Sequence, residues 1–135
     1  MTATLLELAQ DDLHRVNIPR PNRVLLAGKF VAAGTAAASA VTGYLAGADR
    51  TGTGAWSLNL ANKFASLDSV HCTLLGADAA SYTISTLSTS PTGTAAQITC
   101  QIYALPVGTA APHVADPASI TIQYLAVGVN PDDLL

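Results

Sequence analysis

Charge is scarce in this chain. Charged residues make up 11% of its 135 positions, against about 25% in a typical domain. Aromatic residues are 5%, tryptophan occurs once and cysteine twice. The net charge of −3 argues against free nucleic acid as a partner, because a phosphate backbone is met by a basic surface. Two cysteines do not make a disulfide framework. Cys72 and Cys100 are expected as buried thiols, reduced in the assembled protein even where their strands lie close. CxxC, HExxH, GxGxxG and Walker-type spacings are missing, as is any N-x-S/T sequon. The uncharged stretch Phe30–Ala48 is mainly Ala, Gly, Ser and Thr. It has too little Leu, Ile or Phe to favour membrane insertion. Glu7, Asp11 and Asp12 stand where a secretory signal would carry a basic start and an apolar run, so no such signal is expected.

Apolar residues, by contrast, make up half the chain. That excludes disorder as the main state, since disorder goes with low hydrophobicity and high charge. One domain is expected at this length. With so little charge, much of its surface must be Ala, Ser, Thr and Gly, which suits a protein packed against neighbours. All six basic residues lie in the first 63 positions, and only Asp68, Asp78, Asp116, Asp132 and Asp133 are charged after that. A mildly basic front and an acidic remainder suit head-to-tail contact between copies or an acidic partner.

The chain begins with a helical pattern. Thr4 and Glu7 are spaced as a capping box, and Leu5, Leu8 and Ala9 share a stripe that Leu6 and Leu13 extend. A helix over about residues 4–14 is expected. It is too short to be stable alone. Pro19 and Pro21 then give a stiff extended linker. Helix and linker together reach on the order of 40 Å, beyond the ~14 Å radius of gyration of a globule this size. Residues 1–21 therefore read as an arm, 22–130 as the folded domain and 131–135 as a tail.

From Val24 onward the period is two. VLLAGKFVAA reads as a strand and SAVTGYL as a candidate second. Trp56, Leu58 and Leu60 alternate with Ser57 and Asn59. Val70, Cys72 and Leu74 share a face, as do Tyr82 and Ile84. Ala96, Ile98, Cys100 and Ile102 oppose Gln97, Thr99 and Gln101, and Ile120, Ile122, Tyr124 and Ala126 point one way. Turns are expected at 51–54 and 90–93. Phe64 and Leu67, at i and i+3, suggest a single helical turn within 62–69. The Pro-rich stretch 106–119 reads as one long loop with a functional or interface role. Strands with one apolar face each require a second sheet. The fold class is all-β, an antiparallel β-sandwich, jelly-roll or tulip-like, of six to eight strands with an N-terminal arm.

Chemistry is thin. His71 and Cys72 are strand neighbours and point to opposite faces. His113 and Asp116 offer two metal ligands without a third. Asp11–Asp12 and Asp132–Asp133 read as solvated acids, and no serine has a base placed for it. Trp56 is in phase with Leu58 and Leu60, so it is expected in the core. No enzyme activity, cofactor or metal is expected.

The run Arg50–Leu75, RTGTGAWSLNLANKFASLDSVHCTLL, resembles small structural proteins of tailed-phage virions, the head decoration or cement type. The matching elements are the turn Thr51–Gly54, the strand Trp56–Leu60, the polar turn and aromatic Asn62–Phe64, and the strand start Ser69–Val70. Asp116–Ser119 and Ile120–Val127 match the acidic-Pro-Ala-Ser link and last strand of that pattern. The resemblance spans roughly residues 24–130 and leaves out the arm. It implies a capsid-surface domain, often a homotrimer, that binds the major capsid protein and clamps shell subunits of the virion after assembly in the host cytoplasm. It implies no catalytic residue. The interface is expected at Leu5, Leu6, Leu8, Leu13, Arg15, Arg20 and Arg23 of the arm, with no nucleic acid or membrane as partner. Two other roles fit the same sequence. One is a tail, neck or fibre component. The other is a carbohydrate-binding adhesive module using the 106–119 loop and exposed tyrosines.

Overall fold

A computed structural model describes residues 23–105 and 111–130. Nine strands form in chain order. They are β1 (Arg23–Ala32), β2 (Ser39–Gly43), β3 (Gly47–Gly52), β4 (Ala55–Asn59), β5 (Ser66–Leu75), β6 (Tyr82–Ser90), β7 (Gln97–Ala104), β8 (His113–Val114) and β9 (Ile120–Val129). A 3-10 turn at Ala79–Ser81 is the sole helical element among the described residues. One sheet has the order β2-β1-β9-β5, the other β3-β4-β7-β6, with β8 also on β7. All pairings are antiparallel. The fold is all-β, two antiparallel sheets closed over one core. The expected arm helix and the tail lie outside the described residues.

The core forms where the alternation is cleanest. Trp56, Leu58 and Leu60 of β4 and its end, Ala96, Ile98, Cys100 and Ile102 at β7, and Ile120, Ile122, Tyr124 and Ala126 of β9 are all buried. Phe30 of β1 crosses to Trp56 of β4 with ring centroids 5.1 Å apart, so the aromatic pair joins the two sheets. Val70, Cys72, Leu74 and Ile84 also face inward but are only half-buried. Their strands β5 and β6 are sheet edges, and an edge strand has a neighbour on one side only. Leu26, Phe30 and Ala32 complete the β1 contribution. The sequence left their phase open, because VLLA is apolar at consecutive positions.

Three sequence expectations are corrected. Residues 62–69 hold no helical turn, and β5 begins at Ser66. Phe64 and Leu67 both pack on the core, but as extended chain. β5 carries a bulge between Asp68 and His71, with Ser69 at φ 51°. The extra residue shifts the alternation, so Leu67 and Val70 both face inward despite their odd spacing. The 51–54 segment is half strand, because β3 runs to Gly52 and only Thr53–Gly54 turn. The 106–119 stretch is not one continuous loop, since β8 pairs with Tyr103 and Ala104 of β7.

Behind β8 the chain is fastened. Asp116 takes a two-pronged ion pair from Arg50, Nε at 3.1 Å and Nη2 at 2.6 Å. It also accepts the Gly54 N–H at 2.7 Å. Gly54 has φ +67°, and a Cβ there would stand 2.5 Å from the Ala115 carbonyl oxygen. Only glycine admits both that backbone and that approach. Pro117 is fully buried, and its carbonyl accepts the Gly34 N–H at 2.7 Å.

Candidate interface

The two sheets share a core but turn different faces outward. On the five-stranded sheet the outward residues of β4 and β7 are polar and joined together. Asn59 donates to Asp49 at 2.9 Å and accepts from Gln97 at 2.8 Å. Ser57 donates to Asn59 at 3.5 Å. The Ser88 and Thr99 hydroxyls meet at 2.6 Å, and Gln101 donates to the Thr53 carbonyl at 2.7 Å. Strand alternation put Ser57, Asn59, Gln97, Thr99 and Gln101 on this face. Antiparallel register then set Ser57 opposite Thr99 and Asn59 opposite Gln97, close enough for side chains to bond.

The four-stranded sheet turns out a mixed face, with Lys29, His71, Thr73 and Gln123 sharing it with an apolar group at one end. Leu25 and Ala27 of β1 face outward beside Leu125 and Val127 of β9, in register Leu25 with Val127 and Ala27 with Leu125. Leu25 is 71% exposed and Leu125 45%. Leu75 of β5, at 44%, stands on the same face opposite Thr121, separated from that group by Thr73 and Gln123. The apolar positions have no hydrogen-bonding side chain, so water there gains nothing that a partner would have to replace. Exposed leucines elsewhere are scattered. Leu87 sits at the bulge of edge strand β6 among Ser85, Thr86, Ser88 and Thr89, and Leu105 closes β7. A contiguous apolar patch on a small domain marks an interaction surface more than single exposed residues do.

The patch adjoins the point where the N-terminal segment enters the domain. Arg23, the first residue of β1, reaches across β9 to Asp68 of β5 at 2.9 Å. Arg23 is registered with Val129, and Asp68 with Val127, so the ion pair spans the end of the apolar face. At this end a cleft of about 880 Å³ opens, walled by Val24, Leu26, Tyr44 and Phe64 and rimmed by Lys63 and Asn130.

Of the seven expected interface residues, Arg23 alone is described. Its charge is engaged by Asp68 of its own chain, whereas the sequence reading set it against an acid of a neighbour. Leu5, Leu6, Leu8, Leu13, Arg15 and Arg20 lie outside the described residues. Asp116 is committed to Arg50 and Gly54, and that guanidinium holds the carboxyl below its ordinary range. His113 therefore has no metal-ligand partner in Asp116. No cluster of three or more metal-ligating side chains occurs among the described residues. The adhesive alternative needs exposed tyrosines. Tyr44, Tyr82 and Tyr103 are half-buried and Tyr124 is buried, its hydroxyl donating to the Tyr44 carbonyl. No helix among the described residues is long and apolar enough to cross a membrane.

The apolar face was missed in the sequence reading, although its signal was present. β1 and β9 are the strands with apolar residues in both phases, as in Val24-Leu25-Leu26 and Tyr124-Leu125-Ala126-Val127. A strand whose outward phase is apolar has a second surface to cover. Comparison with known proteins adds no identity, as no family model, curated protein or solved structure matches the chain.

Proposed function

We propose that this chain is a non-enzymatic structural protein of a tailed-phage particle. It binds the capsid shell as a decoration or cement protein and stabilises contacts between capsid subunits. The observation that carries the reading is the asymmetry of the two outer faces. One is polar and bonded to itself, and the other presents Leu25 and Leu125 exposed, beside Ala27 and Val127. The apolar face and the adjoining arm form one attachment surface. The polar face is the solvent side. The partner is the major capsid protein, with further contact between copies of this chain in a homotrimer.

Magnitudes support a shared role for arm and face. Burying Leu5, Leu6, Leu8 and Leu13 contributes roughly 6–12 kcal/mol gross, at about 1.5–3 kcal/mol per side chain, before ordering and association costs. Covering Leu25 and Leu125 adds about 1–2 kcal/mol each, since both are already partly buried. Association costs on the order of 4–15 kcal/mol, so the face alone is insufficient and the arm supplies the larger share. Repetition over a closed shell multiplies any small surplus.

The test is labelling of particles of the encoding phage with an antibody against this chain, followed by counting. Hundreds of copies spread over the shell support a decoration protein. A few copies at one vertex or on the tail indicate a tail, neck or fibre part. Removal of residues 1–21 should leave a folded sandwich that no longer attaches.

A further inference from the structure

The cleft at the Arg23 end of the sandwich is preformed. Leu26 and Phe64 make its floor, and Val24 and Tyr44 its walls. Gly128 leaves room for that floor, since a Cβ there would stand 2.8 Å from the Phe64 ring and 3.0 Å from Leu26. The Tyr44 and Phe64 rings meet edge-on with centroids 6.1 Å apart. Asn62 donates to the Tyr44 hydroxyl at 2.6 Å, which fixes that ring. Lys63 is the one charged residue lining the cleft. Among the described residues it has no ion-pair partner.

β9 delivers the chain to this cleft. β5 and β9 pair Leu67 with Gly128 and Ser66 with Val129, and the Ala65 N–H donates to the Val129 carbonyl at 2.6 Å. Asn130 then lines the cleft itself. Pro131, Asp132, Asp133, Leu134 and Leu135 follow it. Extending the β5–β9 register by three residues sets Asp132 opposite Lys63. The backbone ladder stops before that point, because the Phe64 N–H is given to the Pro91 carbonyl at 2.7 Å and Pro131 has no N–H. Side chains must hold what comes after.

We propose that this cleft is a docking groove for the chain's own segment 132–135. Asp132 pairs with Lys63, and Leu134 and Leu135 lie over Val24 and Tyr44. The sequence reading took these acids as solvated. Reach, charge and tether length select this occupant. Residues 131–135 extend on the order of 16 Å past Asn130, enough to cross a cleft of about 880 Å³. Their acids meet the single cation of the cleft, and their leucines meet its apolar wall. The segment before β1 enters at the same end, but its nearest leucine, Leu13, is ten residues from Arg23, whereas Leu134 is four from Asn130. The shorter tether costs less closure entropy. An exposed ion pair alone contributes little, so the leucines supply most of the docking. This inference is independent of the proposed function, since it concerns the isolated chain.

Equal amounts of unlabelled and isotope-labelled full chain are mixed and treated with a carbodiimide, which joins a carboxyl and an amine in contact as an amide with loss of one water. Peptide mapping locates the bond. The expected product links Lys63 to Asp132 or Asp133 within one copy. In the double variant Leu134→Ser, Leu135→Ser, which leaves the core untouched, the yield of that bond should fall about fivefold or more. A main product linking Lys63 to Glu7, Asp11 or Asp12 would put the N-terminal segment in the cleft. A bond between labelled and unlabelled copies would put a second copy there. Absence of any bond from Lys63 to Asp132 or Asp133, or an unchanged yield in the double variant, would leave the segment undocked. Each of these outcomes would overturn the proposal.

Discussion

The outer faces of the two sheets are made by the same alternation and end in different chemistry. On the five-stranded sheet, Ser57, Asn59, Gln97, Thr99 and Gln101 bond to one another or to backbone. A partner covering that face would displace the water that satisfies the remaining donors and acceptors of these side chains, and each buried polar group left unpaired costs about 1–3 kcal/mol. On the four-stranded sheet, Leu25, Ala27, Leu125 and Val127 ask nothing of a partner except contact. Low charge over the chain as a whole hides this difference. What distinguishes the faces is the end of the four-stranded sheet where Leu25 and Ala27 stand opposite Val127 and Leu125 in register.

The comparison depends first on the core both sheets share. Ile98→Ala or Ile102→Ala, at positions with no exposure, should destabilise the domain by about 2–5 kcal/mol. Chemical denaturation should show a lowered midpoint with an unchanged slope. Both faces should be lost together, with no selective effect on either.

The fastening beside the polar face comes next. Gly54→Ala forces a Cβ toward the Ala115 carbonyl at a φ of +67°, for an expected cost of about 1–3 kcal/mol. Asp116 contributes through charge. Its carboxyl is held below the ordinary range by Arg50 and the Gly54 N–H, so the folded state binds fewer protons than the unfolded chain near that pH. The pair's stabilisation is therefore full above about pH 4 and lost as pH falls through the lowered folded value. Asp116→Asn should lower Tm at pH 7 and remove that part of the acid dependence, as read by thermal melts across pH 2–7.

The smallest effect on folding should fall on the apolar face, and it separates folding from attachment. Leu25→Thr changes an exposed position, so the monomer's stability should move by no more than about 0.5 kcal/mol. Particle attachment should weaken all the same. Asn59→Ala on the polar face should do the reverse. It should cost about 0.5–1.5 kcal/mol through the lost bonds to Asp49 and Gln97 and leave attachment unchanged.

Much of the sandwich was legible from alternation. β4 and β7 have apolar and polar residues in turn, β9 does so over Ile120–Tyr124, and every inward residue read from them is buried. Legibility failed where two-residue periodicity was broken. Phe64 precedes β5 and Leu67 lies within it, so their i, i+3 spacing is that of a loop entering a strand, and the bulge at Asp68–His71 then offsets Leu67 from Val70. β8 has only two residues and owes its place to the Asp116 fastening, which joins residues 62 or more apart in sequence. The attachment face was illegible for a different reason. The first half of β1, Val24–Ala27, is apolar in both phases, and an apolar run names no inward phase until its partner strand and register are known.

The central claim is that the apolar outer face of the four-stranded sheet lies against the shell. Hydroxyl-radical footprinting of the free chain and of the assembled particle tests it most directly. The account predicts that Leu25 and Leu125 lose most of their reactivity on assembly, while Leu87 on the five-stranded sheet keeps its own. Equal reactivity of Leu25 and Leu125 in the two states, or protection confined to Leu87, would contradict it.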